Sequence, residues 1–236
     1  MTDAEFKRFF GSLDASLQTE KLELPEYPTN ELLQQGSQYV DWRSIMNPVR
    51  NQGECGSCYS FAAVSTLEGR YNIKYGGYTQ ISEQQIVDCA KSCLGCNGGW
   101  ISNALDYIKG NGAQSRASYP YLERQSTCEF RPSSVVARVA EVYGIADAKI
   151  VIRDGPIGVY VHAMGDFASY ENGIFNGHCA VQYDHAVTAV GYGNSGGINY
   201  WILRNSWGPE WGESGHIRVQ ENGNCHITFD STPRVA

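Results

Sequence analysis

The apolar pattern divides the chain into stretches of different character. Phe61, Val64, Leu67, Tyr71 and Tyr75 recur at the spacing of one buried helix face, and Gly76-Gly77 stops the pattern. Ser82-Glu83-Gln84-Gln85 has the polar order of a capping box and predicts a second helix through Cys89. Ala104, Leu105 and Ile108 mark a third helix that ends near Gly110. After about residue 130 the signal changes. The stretches 135–142, 158–161, 185–192, 200–204 and 215–219 are short and rich in β-branched or aromatic residues. Gly, Pro or Asn separates most of them, the pattern of an antiparallel sheet. A helical half followed by a sheet half predicts an α+β fold with a groove between the halves.

The first 36 residues differ from the rest. Phe6, Phe9, Phe10, Leu13 and Leu17 predict a short amphipathic helix, and Leu24-Pro25-Glu26-Tyr27-Pro28 an extended run, because each proline disfavours helix before it. The stretch Gln34-Gln35-Gly36-Ser37-Gln38 reads as an exposed loop and a processing boundary. The expected organisation is a segment 1–36 followed by one domain, 37–236, with a helical half mainly over 45–130 and a sheet half mainly over 131–225.

Composition narrows the function classes. Hydrophobic residues make up 42% of the 236, enough for a core, which excludes a disordered chain. Lys+Arg number 18 against 25 Asp+Glu, a net charge of −7, so nucleic acid is not an expected partner. No apolar run approaches the ~18 residues of a membrane span. The 26 glycines and 15 tyrosines fit turns and aromatic-lined strands better than a helical bundle. Eight cysteines, at 55, 58, 89, 93, 96, 128, 179 and 225, fit an oxidising compartment. Yet Met1-Thr2-Asp3-Ala4-Glu5-Phe6 has neither the basic nor the apolar region of a signal peptide. Either the cysteines are cytosolic thiols or zinc ligands, or the chain is a piece of a longer precursor.

Gln52-Gly53-Glu54-Cys55-Gly56-Ser57-Cys58-Tyr59-Ser60-Phe61 carries the candidate chemistry. It resembles the active-site segment of papain-like cysteine proteases, whose signature is C-G-[SA]-C-[WY] with His and Asn roughly 130–150 residues downstream. Here Tyr183-Asp184-His185-Ala186-Val187 places His185 127 residues after Cys58, and Arg204-Asn205-Ser206-Trp207-Gly208 places Asn205 147 residues after it. Alone, Cys58 reads as a disulfide partner, His185 as a core histidine and Asn205 as a turn residue. Together in this order they reverse that reading. The resemblance runs from Tyr39 to about Asp230 and implies a helical half, an antiparallel β-barrel-like half and a catalytic cleft between them. Cys58 at a helix start would be the nucleophile, its thiolate favoured by the helix N-terminus and by an imidazolium. His185 would serve as general acid and base, Asn205 would fix the imidazole, and Trp207 would shield that bond. The Gln52 side chain and the Cys58 N–H would be oxyanion donors.

The resemblance also implies disulfides Cys55–Cys96, Cys89–Cys128 and Cys179–Cys225, which leaves Cys93 over. Cys89, Cys93 and Cys96 spaced this way also suit zinc with Cys55 or Cys128. Gly98, Gly99 and Trp100 resemble the wall that binds substrate backbone, though a plain turn accounts for the glycines equally well. Tyr160 falls in the second specificity pocket with Ile101 and Tyr183 beside it and Asp230 at its floor, where its carboxylate would admit Arg beside apolar residues, and Asp184 and Trp207 also lie on the substrate-binding side. The alternatives are that bulky Tyr160 fills the space or that Asp230 faces solvent. Tyr59 replaces the more usual Trp, and Cys225-His226-Ile227 departs from the usual Cys-Gly. No His pair follows Gly99, so endopeptidase is expected rather than carboxydipeptidase.

Met1 to Phe6 resembles the end of an inhibitory propeptide, which implies a truncated zymogen whose residues 20–36 cover the groove until they are cut near Gly36. The expected protein is a monomeric cysteine endopeptidase with no metal or organic cofactor. Its partners would be peptide and protein substrates, its own propeptide segment and cystatin-type inhibitors, in an acidic lysosome-like compartment or after secretion. The rival readings are a catalytically inactive papain-fold binding module and a zinc-bound cysteine-rich interaction protein.

Overall fold

The computed structural model describes residues 19–29, 39–179 and 183–236. The expected helix over Phe6–Leu17 and the boundary near Gly36 lie outside these residues.

Helix α1, Cys58–Tyr75, is buried on most of its surface, including the polar Ser60, Thr66, Glu68, Arg70 and Asn72. It can be so deeply buried because both halves of the molecule pack on it. Midway, a side chain at Gly69 would strike Met46 Sδ and Pro156 Cγ, each 2.7 Å from the built Cβ. Glycine costs about 1 kcal/mol of helix propensity at such a site, and here it permits that contact. Gly76, at φ 72°, ends the helix and returns its N–H to Asn72 O.

Helix α2, Glu83–Cys89, starts at Ser82, whose hydroxyl accepts the Gln85 N–H at 3.1 Å. The return half of the capping box is absent. The Gln85 side chain instead donates to Gly112 O and accepts from Gln114 N, which ties α2 to the chain after the third helix. That helix, α3 (Ile101–Asn111), runs slightly past the expected stop at Gly110 and ends at Gly112, φ 84°.

The strands form an open sheet in the order β4 (Val139–Gly144), β10 (Ile227–Val235), β5 (Ile157–Val161), β7 (His185–Ser195), β8 (Ile198–Arg204), β9 (His216–Gln220), β6 (Ile174–Phe175). All neighbours are antiparallel except β6 and β9. The barrel-like half expected from the resemblance is corrected here: the first and last strands of the path do not pair, so the sheet does not close. A short strand, β1 (Val40–Asp41), adds to β7, possible because Gly191 lets Val40 O approach to 2.1 Å of where a Cβ would stand. The expected strand over 135–142 is split into β3 (Val135–Ala137), which pairs with β2 (Ala113–Gln114), and β4.

Two apolar clusters flank the groove. One joins α1, α2 and α3 and reaches across to Tyr160 and Ala186; the other fills the sheet half around Phe167, Leu203 and Val219. Under the groove lies a buried charge network. Arg50 bridges Glu68 at 2.8 Å and Glu83 at 2.5 Å, and Arg116 reaches Glu83 at 3.2 Å. The expected extended run at 24–28 pairs by Glu26 with Gly144, beside β4.

Candidate active site

Cys58 is the first residue of α1. Its N-cap, Ser57, makes no side-chain cap, so the helix N-terminal N–H groups are not neutralised locally. The Ser57 hydroxyl is held instead by Tyr121 at 2.6 Å. Tyr121 also donates to Gln52 O, so one phenol joins the two ends of the Gln52–Cys58 loop.

The facing wall is β7 and the loop after β8. His185 opens β7 and is wholly buried. Its Nε2 lies 2.7 Å from Asn205 Oδ1, which also accepts the Ser206 N–H at 2.8 Å. An oxygen at that point requires the proton on Nε2, so Nδ1 is the nitrogen that exchanges a proton during a reaction. Trp207 stacks on the imidazole with centroids 4.7 Å apart, backed by Phe167 and Trp211, so the bond is covered by aromatic surface.

Two elements hold the walls together. Gln52 N donates to Ser206 O at 2.9 Å and Gly208 N to Arg50 O at 3.1 Å, stitching the loop before Cys58 to the loop after Asn205. The sulfur of Cys58 accepts N–H groups from its own helix and from Ala186, the residue next to His185. Burial pushes the Cys58 thiol up to about 11, against those donors. Burial likewise pulls the His185 imidazole down to about 4, against the bond to Asn205. Each group alone is thus neutral at pH 7.

Gln52 is wholly buried. Its Oε1 accepts from Ser206 Oγ at 2.6 Å, and its Nε2 donates one proton to Cys55 O at 3.1 Å. Asp184 accepts from Ala163 N at 2.7 Å and meets His162 Nδ1 at 3.1 Å. Ile101 and Tyr160 are buried side by side, the Tyr160 oxygen accepting the Ile101 N–H, and Trp100 packs edge-on to Tyr160. Asp230 is buried, not solvent-facing. Tyr183 is exposed. Gly98, at φ 107°, closes a short helical turn, and a Cβ at Gly99 would stand 3.0 Å from both Cys93 Sγ and Tyr59. Packing thus requires Gly99 whether or not substrate approaches it.

Disulfides join Cys55–Cys96, Cys89–Cys128 and Cys179–Cys225. They engage Cys89 and Cys96, which removes two of the three thiols of the zinc reading. Cys58 and Cys93 are the free thiols, and burial pushes Cys93 up to about 12. Among the described residues no cluster of His, Cys, Asp and Glu is placed to hold a metal ion.

Sequence reasoning missed Tyr121, Ser206 and Lys21, since each meets the site from far along the chain. The hydroxyl of Ser206, in the motif after Asn205, was the one available signal.

A family model described as papain family cysteine protease matches residues 36–233. Papaya proteinase 4 from Carica papaya is 40% identical over 235 residues, spanning 95% of this chain and 67% of that protein. Among solved structures, digestive procathepsin L 3 of the Tenebrio molitor larval midgut superposes with a TM-score of 0.87 at 33% identity, covering 99% of this chain and 79% of that one. Bromelain from Ananas comosus in complex with the E64 inhibitor gives 0.78 at 39% identity, covering 85% and 100%. With this match along most of its length, the chain belongs to the papain family of cysteine proteases.

Proposed function

We propose that Cys58, His185, Asn205 and Gln52 carry the cysteine endopeptidase activity of this family member. The observation that carries the reading is a free sulfur at a helix start, hydrogen-bonded to the residue after an imidazole that Asn205 holds in one tautomer. The thiol proton passes to His185 Nδ1, and the sulfur attacks the scissile carbonyl carbon. The second Gln52 Nε2 proton and the Cys58 N–H take the negative oxygen. The C–N bond breaks as His185 returns its proton to the leaving nitrogen, giving a thioester on Cys58. Water then attacks with His185 as base, the C–S bond breaks, and the carboxyl product leaves with the thiol restored.

Gly98, Gly99, Trp100, Ile101, Tyr160, Asp184 and Asp230 border the substrate side of the cleft in this reading, with Tyr183 at its exposed edge. Residues 1–36 form a removable inhibitory segment and 37–236 the peptidase domain, active as a monomer and open to cystatin-type inhibitors. An acidic or secreted setting agrees with the digestive procathepsin among its structural neighbours. Cleavage of a fluorogenic peptide by the chain freed of residues 1–36, abolished in Cys58→Ser, is the expected result. A wild-type protein that cuts nothing yet still binds peptides would favour the inactive module.

A further inference from the structure

We propose that the chain holds one inorganic phosphate ion, in a protonated form, at a second site: a cavity walled by Asn47, Arg204 and His216 that shares no residue with the catalytic set. The inference stands on charge and hydrogen-bond geometry and does not depend on the peptidase reading.

The cavity, about 530 Å³, lies between the chain around Asn47 and the paired ends of β8 and β9. Arg204 and His216 stand opposite each other in the β8–β9 register, so their side chains share one face of the sheet. Pro48 O accepts from Arg204 Nη2 at 2.8 Å, which brings Asn47 beside the same pair. Among the described residues no acidic side chain borders the cavity.

Arg204 is short of negative charge. It is 7% exposed, and among the described residues the bond to Pro48 O is the one hydrogen bond of its guanidinium. Glu68 and Glu83 attract it from the network beneath the groove, but Arg50 and Arg116 already bridge them. Three guanidinium groups therefore meet two carboxylates. Burial pulls Arg204 down to about 10 with Glu68 opposing, as expected of a buried cation without a close counter-charge. Arg43, also on the cavity wall, is taken by Asp41 at 2.6 Å.

Two buried acceptors on the same wall lack a donor. Asn47 uses both Nδ2 protons, on Glu68 Oε2 at 2.6 Å and on Thr79 O at 2.7 Å, which fixes the orientation of its amide. Its Oδ1 is buried with no hydrogen-bond partner among the described residues. His216 is 8% exposed, and its Nδ1 lies 3.0 Å from the Ser214 carbonyl oxygen, so Nδ1 carries the proton. Burial, then Arg204 and Arg43, pull the ring down to about 4, against its bonds to the Ser214 and Glu213 backbone. At pH 6 the ring is therefore neutral and Nε2, buried and without a partner among the described residues, is an acceptor.

A ligand that suits this wall brings negative charge to Arg204 and O–H groups to Nε2 and Oδ1. Dihydrogen phosphate carries both, its charged oxygens facing the guanidinium and its two P–OH groups the acceptors. Sulfate matches it in shape and charge but has no proton to donate at pH 6. It would leave both acceptors desolvated and unpaired, which is penalised more strongly than a matched bond is rewarded.

The test uses the full chain carrying Cys58→Ser, which removes self-digestion. Phosphorus NMR follows the line of inorganic phosphate at pH 6 as protein is added, at constant ionic strength, with sulfate as competitor. We expect saturable broadening that sulfate displaces at least about tenfold less well than unlabelled phosphate dilutes it. His216→Phe, which removes one acceptor, and Arg204→Met, which removes the cation, should each weaken phosphate about tenfold. Melting curves show which variants fold; if Arg204→Met does not, His216→Phe and the sulfate comparison decide. No saturable broadening, sulfate equal to phosphate, or unchanged affinity in a folded variant overturns the proposal.

Discussion

Arg50→Met removes the cation from the charge network beneath the groove. Arg50 holds Glu68 and Glu83, whose side chains are 2% and 1% exposed. Glu83 keeps Arg116, so most of the loss falls on Glu68. Glu68 retains hydrogen bonds from Ile81 N and Asn47 Nδ2 but no ion pair. Breaking one side of a buried pair costs about 3–5 kcal/mol, and the two retained bonds place this case near 3. At ~2–4 °C per kcal/mol for a chain of this size, the melting temperature should drop roughly 6–12 °C at pH 7. The pH dependence has a definite sign. Burial holds the Glu68 carboxyl above its ordinary 4.5 even with Arg50 opposing it. A carboxyl raised on folding supports the fold below its unfolded value and loses that support as pH rises. Without Arg50 the rise is larger, so the deficit of the variant against its parent is small near pH 4.5 and opens toward pH 7. Melting curves in a Cys58→Ser background, which removes self-digestion, give the comparison. A drop under about 3 °C at pH 7, or a larger deficit at pH 4.5 than at pH 7, would refute the reasoning.

Three further outcomes follow from the site. In His185→Ala the Cys58 thiol loses its proton acceptor while burial still pushes it up, so alkylation should need strongly alkaline pH, whereas wild type reacts in the acid-to-neutral range; overlapping pH–rate curves would contradict the coupled pair. Asn205→Ala removes the acceptor at 2.7 Å from His185 and should lower kcat/KM about 10²-fold, seen in steady-state peptide cleavage. Gln52→Ala should reduce kcat about 10²-fold with little change in KM, because the amide is worth most to the oxyanion; a pure KM effect would reassign it to substrate binding.

The helices were legible because one face repeats through Phe61, Val64 and Leu67 and because Gly76 must take a positive φ. The strand β10 was not. Its run Asp230-Ser231-Thr232-Pro233 reads as a loop, yet β10 changes partner from β5 to β4 at Ser231, and beyond that point one edge is unpaired, where a proline is tolerated. The openness of the sheet was invisible for a related reason: closure depends on which strands meet, not on any strand's composition. Cys58, His185 and Asn205 were legible because each lies in an extended motif. Their supports were not, since Ser206 meets Gln52 across 154 residues and Tyr121 meets Ser57 across 64, and a hydroxyl carries no periodic signal. Asp230 was placed by resemblance, but its bulge, its burial and its lysine partner depend on a β-register and on a segment more than 200 residues away.

The account turns on which of two buried free thiols is reactive, and adduct mapping decides it. Protein freed of residues 1–36 is treated with a thiol-reactive peptide epoxide near neutral pH, digested, and read by mass spectrometry. The account predicts one adduct, on Cys58, strongly slowed in His185→Ala, with Cys93 unmodified beneath Gly99. Modification of Cys93 instead, or a Cys58 found in a disulfide and inert, would contradict it.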